Sequence, residues 1–202
     1  MSTAAEVRLR TALSGHDERM RRVVILGRGG AGKSVLARQL SGLTGIPAIE
    51  LDGLFWQPGA EPTPAELWVV RHRELIAGER WIIDGDLGPY DAGLSSRLAA
   101  ADTVIVLDFG FPRCAWRTLR RGREQAEYWR WLWSYRRQSM PRLSIAIAAH
   151  LPRVQVHVLR DPGMVRRFLA DVRASAKAAL ARKLLLSRKL FARIAKKCSV
   201  QK

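Results

Sequence analysis

Residues 22–34 constrain the fold more tightly than any other stretch. Four apolar residues, Val23-Val24-Ile25-Leu26, run into Gly27-Arg28-Gly29-Gly30-Ala31-Gly32-Lys33-Ser34, which fits G-x-x-x-x-G-K-[ST] at every fixed position. The apolar run reads as a buried strand, and Val35-Leu36-Ala37-Arg38-Gln39-Leu40 reads as a helix ending near Gly42. Strand, glycine-rich turn and helix in that order make a P-loop. Glycines let the backbone amides turn inward at a helix N-terminus, where they form a nest for an anion. In such a nest Lys33 reaches the β- and γ-phosphates and the Ser34 hydroxyl ligates Mg²⁺. The spacing therefore predicts ATP bound along Gly27, Arg28, Gly29, Gly30, Ala31, Gly32, Lys33, Ser34 and Val35.

Downstream, short apolar runs alternate with helical patterns. Ile46 to Leu51 reads as a second strand ending at Asp52-Gly53, with a loop over 54–59. Thr63-Pro64-Ala65-Glu66 has the form of a capping box with proline at the first helical position, so a helix is expected from there to about Ala77-Gly78. Trp81-Ile82-Ile83 is a third strand ending at Asp84-Gly85-Asp86, residues 94–101 read as helical, and Thr103 to Leu107 is a fourth strand ending at Asp108. Helices broken at Gly122 and Pro141 fill 112–150. Val154 to Leu159 is a fifth strand, and a helix starts after Pro162. Five apolar strands alternating with helices predict an α/β fold of three layers with a parallel sheet covered on both faces. Gly27, Asp52, Asp84, Asp108 and Arg160 all fall at the carboxyl ends of strands, where such sheets bind ligands.

Charge divides the chain. Residues 1–110 carry 12 Lys and Arg against 14 Asp and Glu, while residues 111–202 carry 23 against 4. The second half is therefore expected to face phosphate on a nucleotide, a nucleic acid or an anionic membrane. Two distant cysteines, Cys114 and Cys198, lack metal-ligand spacing and point to a reducing cytoplasm. No run reaches the roughly 18 apolar residues of a membrane helix, and no export signal is read in the first twenty residues. Residues 1–20 are expected to form a flexible extension, 21–171 the P-loop domain with a lid over about 112–150, and 172–202 a basic amphipathic helix. In that helix Leu180, Leu184, Phe191 and Ile194 alternate with Lys177, Arg182, Lys183, Arg188, Lys189 and Arg193. Its apolar stripe can pack on the domain or on a second copy in a homodimer; its basic face can bind anionic lipid or nucleic acid.

The chain resembles the adenylate-kinase-like P-loop proteins known as DNA topology-modulation proteins over roughly residues 21–170. The resemblance rests on the P-loop, on residues 51–59 (Leu51-Asp52-Gly53-Leu54-Phe55-Trp56-Gln57-Pro58-Gly59), on Trp81 to Gly85, and on Arg97-Leu98 before Ala101-Asp102-Thr103-Val104. Trp129-Arg130-Trp131, Tyr135-Arg136-Arg137 and His150 also belong to it. It implies the fold of nucleoside-monophosphate and shikimate kinases, with strand order 2-3-1-4-5 and a helical lid. Asp86 stands where relatives carry Asn, Leu87 to Tyr90 is a small insertion, and the acid that often precedes the Arg-Leu pair is replaced by Ser95 or Ser96.

The same resemblance implies roles. Asp52 faces the phosphoryl acceptor and orients or deprotonates its hydroxyl, the alternative being an Asx-turn before Gly53. Asp84 supports Mg²⁺ with Ser34, with Asp108 the competing carboxylate. Arg113, Arg117, Arg120 and Arg121, at i, i+4, i+7 and i+8, line one helix face and clamp the transferring phosphoryl group; Arg123 joins them. Arg160 borders the adenine. Trp129 and Trp133 read as core packing of a helix, with a basic-aromatic platform for bases as the rival. His150 and His157 read as structural. The expected activity is ATP- and Mg²⁺-dependent phosphoryl transfer to a small acceptor, a nucleotide among the options. The alternatives are a nucleotide-dependent nucleic-acid-associated protein and a slow regulator.

Overall fold

The structure is a computed structural model that describes residues 20–59, 61–122 and 126–199, with side chains as far as Arg182 except at Pro89. Of the extension expected over 1–20, residues 1–19 lie outside the described residues, as do Arg123 and the tail side chains beyond Arg182; Met20 does not belong to it, being buried in the core with Val23 and Ile25.

Strand β1 (Arg22–Gly27) is central and lies between β3 (Trp81–Asp84) and β4 (Thr103–Leu107). β2 (Ala48–Glu50) and β5 (Gln155–Leu159) form the edges. All neighbours are parallel and the order is β2-β3-β1-β4-β5, as the resemblance implies. Alternate residues of β1 explain the three layers. Val23 and Ile25 belong to a core with Leu36 and Leu40 of α1 (Lys33–Thr44) and Phe168 and Val172 of α7 (Pro162–Ser199). Val24 and Leu26 join the opposite core with Trp68 of α3 (Ala65–Ala77), Leu98 of α4 (Leu94–Ala100) and Leu143 of α6 (Ala126–Ala148). These four β1 side chains are fully buried, each worth about 1.5–3 kcal/mol in removal from water. A strand buried on both faces reads as a continuous apolar run for that reason.

Several local expectations are corrected. Helix α1 passes Gly42 and stops at Thr44, because Gly45 adopts the left-handed conformation (φ 67°) and donates its N–H to Ser41 O at 2.8 Å. The loop expected over 54–59 begins instead as a one-turn helix, α2 (Asp52–Phe55). The capping box does not form: Pro64 is the cap residue, and the Thr63 hydroxyl donates to Phe55 O. Pro141 lies inside α6 without breaking it. Both it and Arg137, whose carbonyl loses its helical donor, face solvent, so water can satisfy that carbonyl. α5 (Phe111–Leu119) ends before Gly122. α7 runs unbroken through residue 172; Val172 is buried, whereas Leu180 is 60% exposed. Among the described residues no helix is long and apolar enough to cross a membrane.

Candidate functional site

The glycine loop leaves the carboxyl end of β1 and opens onto α1. Lys33 is buried and its ammonium donates one hydrogen bond to Gly27 O at 2.9 Å, leaving two further donors. Helices α5 and α6 lie against the loop's outer side. A methyl group on Gly29 would collide with the Tyr128 hydroxyl and come within 3.0 Å of the Trp131 ring. One on Gly30 (φ 74°) would strike Cys114 O and the Thr118 hydroxyl. These two positions require glycine because the lid helices press on them. Arg117 brings its guanidinium nitrogens to within 3.2 Å of where a Gly32 side chain would begin, so a cation from α5 stands at the lip of the loop.

Carboxylates gather on the side of β2 and β3. The Ser34 hydroxyl donates to Glu50 Oε1 at 2.9 Å. Asp84 is almost fully buried at the end of β3, and its Oδ2 has no hydrogen-bond partner among the described residues. Burial pushes its pKa up to about 6, against the Ser34 hydroxyl and the Lys33 charge, with Glu50 and Asp52 adding to the rise. An orphaned buried carboxylate oxygen beside a serine hydroxyl and a second carboxylate is an oxygen donor set that suits Mg²⁺, which keeps waters and shares phosphate oxygens. Asp52 is exposed to solvent, at the start of α2. Loss of water raises its pKa; Lys33 opposes this, Glu50 and Asp86 add to it, and Arg121 opposes it. Arg121 is the smallest of these influences.

The four arginines after β4 do not act as one row. Arg117 reaches the loop at Gly32, whereas Arg113 lies over the Phe109 ring at 5.4 Å and Arg120 over Trp116 at 6.0 Å. α5 ends at Leu119; Arg120 caps it with helical backbone, its N–H on Trp116 O, while Arg121 turns tighter with its N–H on Thr118 O. Asp108 is held by Arg136 at 3.4 Å and Arg160 at 3.8 Å, so its charge is met by guanidinium. Val35 points outward, 42% exposed. The core reading of the tryptophans also needs correction. Trp133 is 67% exposed with its ring edge on Phe111, and Trp129 packs at the core's margin. The buried face of α6 carries Leu132, Tyr135, Leu143 and Ile147 instead.

Sequence reasoning missed five contributors. Glu50 was read only as a strand residue. Arg28 was expected to serve through its backbone, yet its side chain is buried between the rings of Phe111 (5.8 Å) and Tyr135 (5.6 Å). Tyr135 donates its hydroxyl to Asp86, whose other oxygen accepts from Gly88 N at 3.0 Å. Arg97 is wholly buried, paired with Asp91 at 2.7 Å and bonded to Gly85 O at 3.3 Å. Ser95 and Ser96 stand just before the Arg-Leu pair, and the carboxylate that meets Arg97 comes from six residues upstream.

No family model and no curated protein matches the chain. Among solved structures it is similar to a gluconokinase from Sinorhizobium meliloti 1021, at 17% identity over 84% of this chain and 98% of that one, TM-score 0.46. A shikimate kinase from Acinetobacter baumannii in complex with shikimate gives 20%, 86%, 97% and 0.48. A sugar kinase from Janibacter sp. HTCC2649 gives 22%, 78%, 97% and 0.49. At these scores the likenesses carry no argument about activity; the fold stands on the sheet order and the loop.

Proposed function

We propose that the protein is an ATP- and Mg²⁺-dependent phosphotransferase acting on a small acceptor. One observation carries this reading: the Lys33 ammonium is bonded to Gly27 O within the glycine loop, the Arg117 guanidinium stands beside Gly32, and Asp84 feels both the Ser34 hydroxyl and the Lys33 charge. Phosphoryl transfer requires positioning and charge neutralisation more than covalent chemistry. The loop amides and Lys33 hold the β- and γ-phosphates. When bound, Mg²⁺ neutralises charge on the phosphate oxygens; Ser34 and the deprotonated Asp84 are its ligands from this chain. Arg117 and Arg121 stabilise negative charge as it spreads over the transferring group. Asp52, its pKa raised by loss of water, orients the acceptor hydroxyl and takes up its proton. Arg160 borders the base. The resemblance over residues 21–170 to adenylate-kinase-like proteins supports the reading and keeps a nucleotide among the acceptors.

The test is a screen of small hydroxylated acceptors with ATP-Mg²⁺, following transfer of labelled γ-phosphate. Transfer is expected in the native protein and absent in Lys33→Ala. In Asp52→Asn it should fall by about 10²–10⁴, the range for loss of a general base. Undiminished transfer in Asp52→Asn removes that residue from the mechanism.

A further inference from the structure

Helix α5 presents two different sides. Cys114 and Thr118 are buried against the glycine loop, and Arg117 reaches Gly32 from the same helix. The side turned away carries Pro112, Arg113, Trp116, Leu119 and Arg120, all exposed, with Trp116 at 62% and Leu119 at 61%. Pro112, Trp116 and Leu119 fall at i, i+4 and i+7, so they stack on one helix face, and Arg113 and Arg120 border it. On the neighbouring helix α6, Arg130, Trp133 and Arg137 stand at i, i+3 and i+7 and are exposed likewise. The two helices meet where Phe111 packs on Trp133, ring centroids 4.8 Å apart. A single exposed apolar side chain is ordinary. Two indoles and a leucine on adjoining helices, set among arginines, are not accounted for by packing.

Charge narrows what can cover this surface. Residues 109–123 hold five arginines and no acid, and residues 126–148 hold four arginines against Glu127 alone. A second copy docked face to face would press arginines on arginines. A single strand of bases needs open aromatic faces for stacking. Here the Arg120 guanidinium lies over Trp116 at 6.0 Å, Phe111 meets Trp133 edge to face, and Pro112 and Leu119 offer no ring to a base. An anionic bilayer asks for what is present. Tryptophan settles at the headgroup level and leucine enters the acyl boundary, while arginine stems lie along apolar surface with their guanidinium groups among the phosphates. Each arginine near such a surface strengthens binding about fivefold.

We infer that the outer side of α5, with Trp133 beside it, is a docking surface for an anionic lipid bilayer. Trp116, Leu119 and Trp133 enter the interface, and Arg113, Arg120, Arg130 and Arg137 meet the lipid phosphates around them. The attachment is peripheral, and nothing in it depends on phosphoryl transfer.

The experiment mixes the full chain with vesicles of phosphatidylcholine alone, or of phosphatidylcholine and phosphatidylglycerol in equal parts. The mixed vesicles are also made with brominated acyl chains, which quench tryptophan on contact. Co-sedimentation with the mixed vesicles and not with the neutral ones is expected, together with quenching by the brominated lipid. Trp116→Ala should weaken vesicle binding about tenfold or more and remove part of the quenching; replacing Trp133 as well should remove most of the remainder. Trp116→Phe should restore most of the binding, and Arg113→Ser and Arg120→Ser should each weaken it about fivefold. No binding to the mixed vesicles, binding indifferent to Trp116→Ala, or quenching that survives loss of both tryptophans overturns the inference. Adhesion without quenching, which the basic tail alone would give, overturns it too. So does a single-stranded DNA oligonucleotide that binds more tightly than the vesicles and depends on Trp116, or a dimer in sedimentation that Trp116→Ala dissolves.

Discussion

Replacing Asp84 by Asn should make the nucleotide-free protein more stable and, on the proposed function, weaken its use of Mg²⁺. Asp84 is 1% exposed, and burial raises its pKa from 3.8 to about 6. Between those values the folded chain binds more protons than the unfolded one, so stability falls as pH rises through that window and stays lowered above it. The gap corresponds to about 3 kcal/mol at 1.36 kcal/mol per pH unit. Asn cannot ionise and nearly matches Asp in shape, so Asp84→Asn should recover that energy at pH 8 and gain little below pH 4. For a chain of this size, about 3 kcal/mol moves the melting temperature by roughly 6–12 °C. Thermal melts of both proteins at pH 4, 6 and 8 read this directly, and the difference should open between pH 4 and 6. Added Mg²⁺-ATP should stabilise the native protein much more than the variant. A variant destabilised at pH 8, or a difference independent of pH, refutes the idea that Asp84 is a strained, metal-seeking carboxylate.

Two further perturbations probe the frame around the site. Asp91→Asn removes the partner of the wholly buried Arg97, and breaking such a pair costs about 3–5 kcal/mol; urea denaturation showing a loss below 1 kcal/mol contradicts that assignment. His72 is buried beside Trp68, and burial and then the Arg97 charge lower its pKa to about 4, with Asp91 opposing. Its contribution is present above pH 6.5 and is lost as pH falls toward 4, by about 3 kcal/mol. The acid-side slope of stability should therefore lose one proton in His72→Leu, and an unchanged slope counts against it.

Much of the fold was legible because its signals are local. Val23 to Leu26 had to be a doubly buried strand, and the glycine-lysine-serine run could only sit between strand and helix. The same locality explains the misses. The Thr63 hydroxyl found the Phe55 carbonyl, a contact across eight residues that a capping pattern does not anticipate. Pro141 stayed helical because the carbonyl it frees faces water. At the site, Lys33, Ser34 and Asp84 could be named from motif and strand end. Glu50 and Tyr135 could not, since each gains its role from a residue 16 or 49 positions away. The arginines after β4 looked alike by spacing, but separated once Phe109 and Trp116 took two of them.

The central claim is that the loop grips a polyphosphate with Lys33 as its charged anchor. Calorimetric affinity for Mg²⁺-ATP, native protein against Lys33→Ala, tests it most directly. A charge-assisted contact of about 1.5–3 kcal/mol predicts a loss of roughly tenfold or more. Equal affinity in the two proteins, or no nucleotide binding by the native chain, contradicts it.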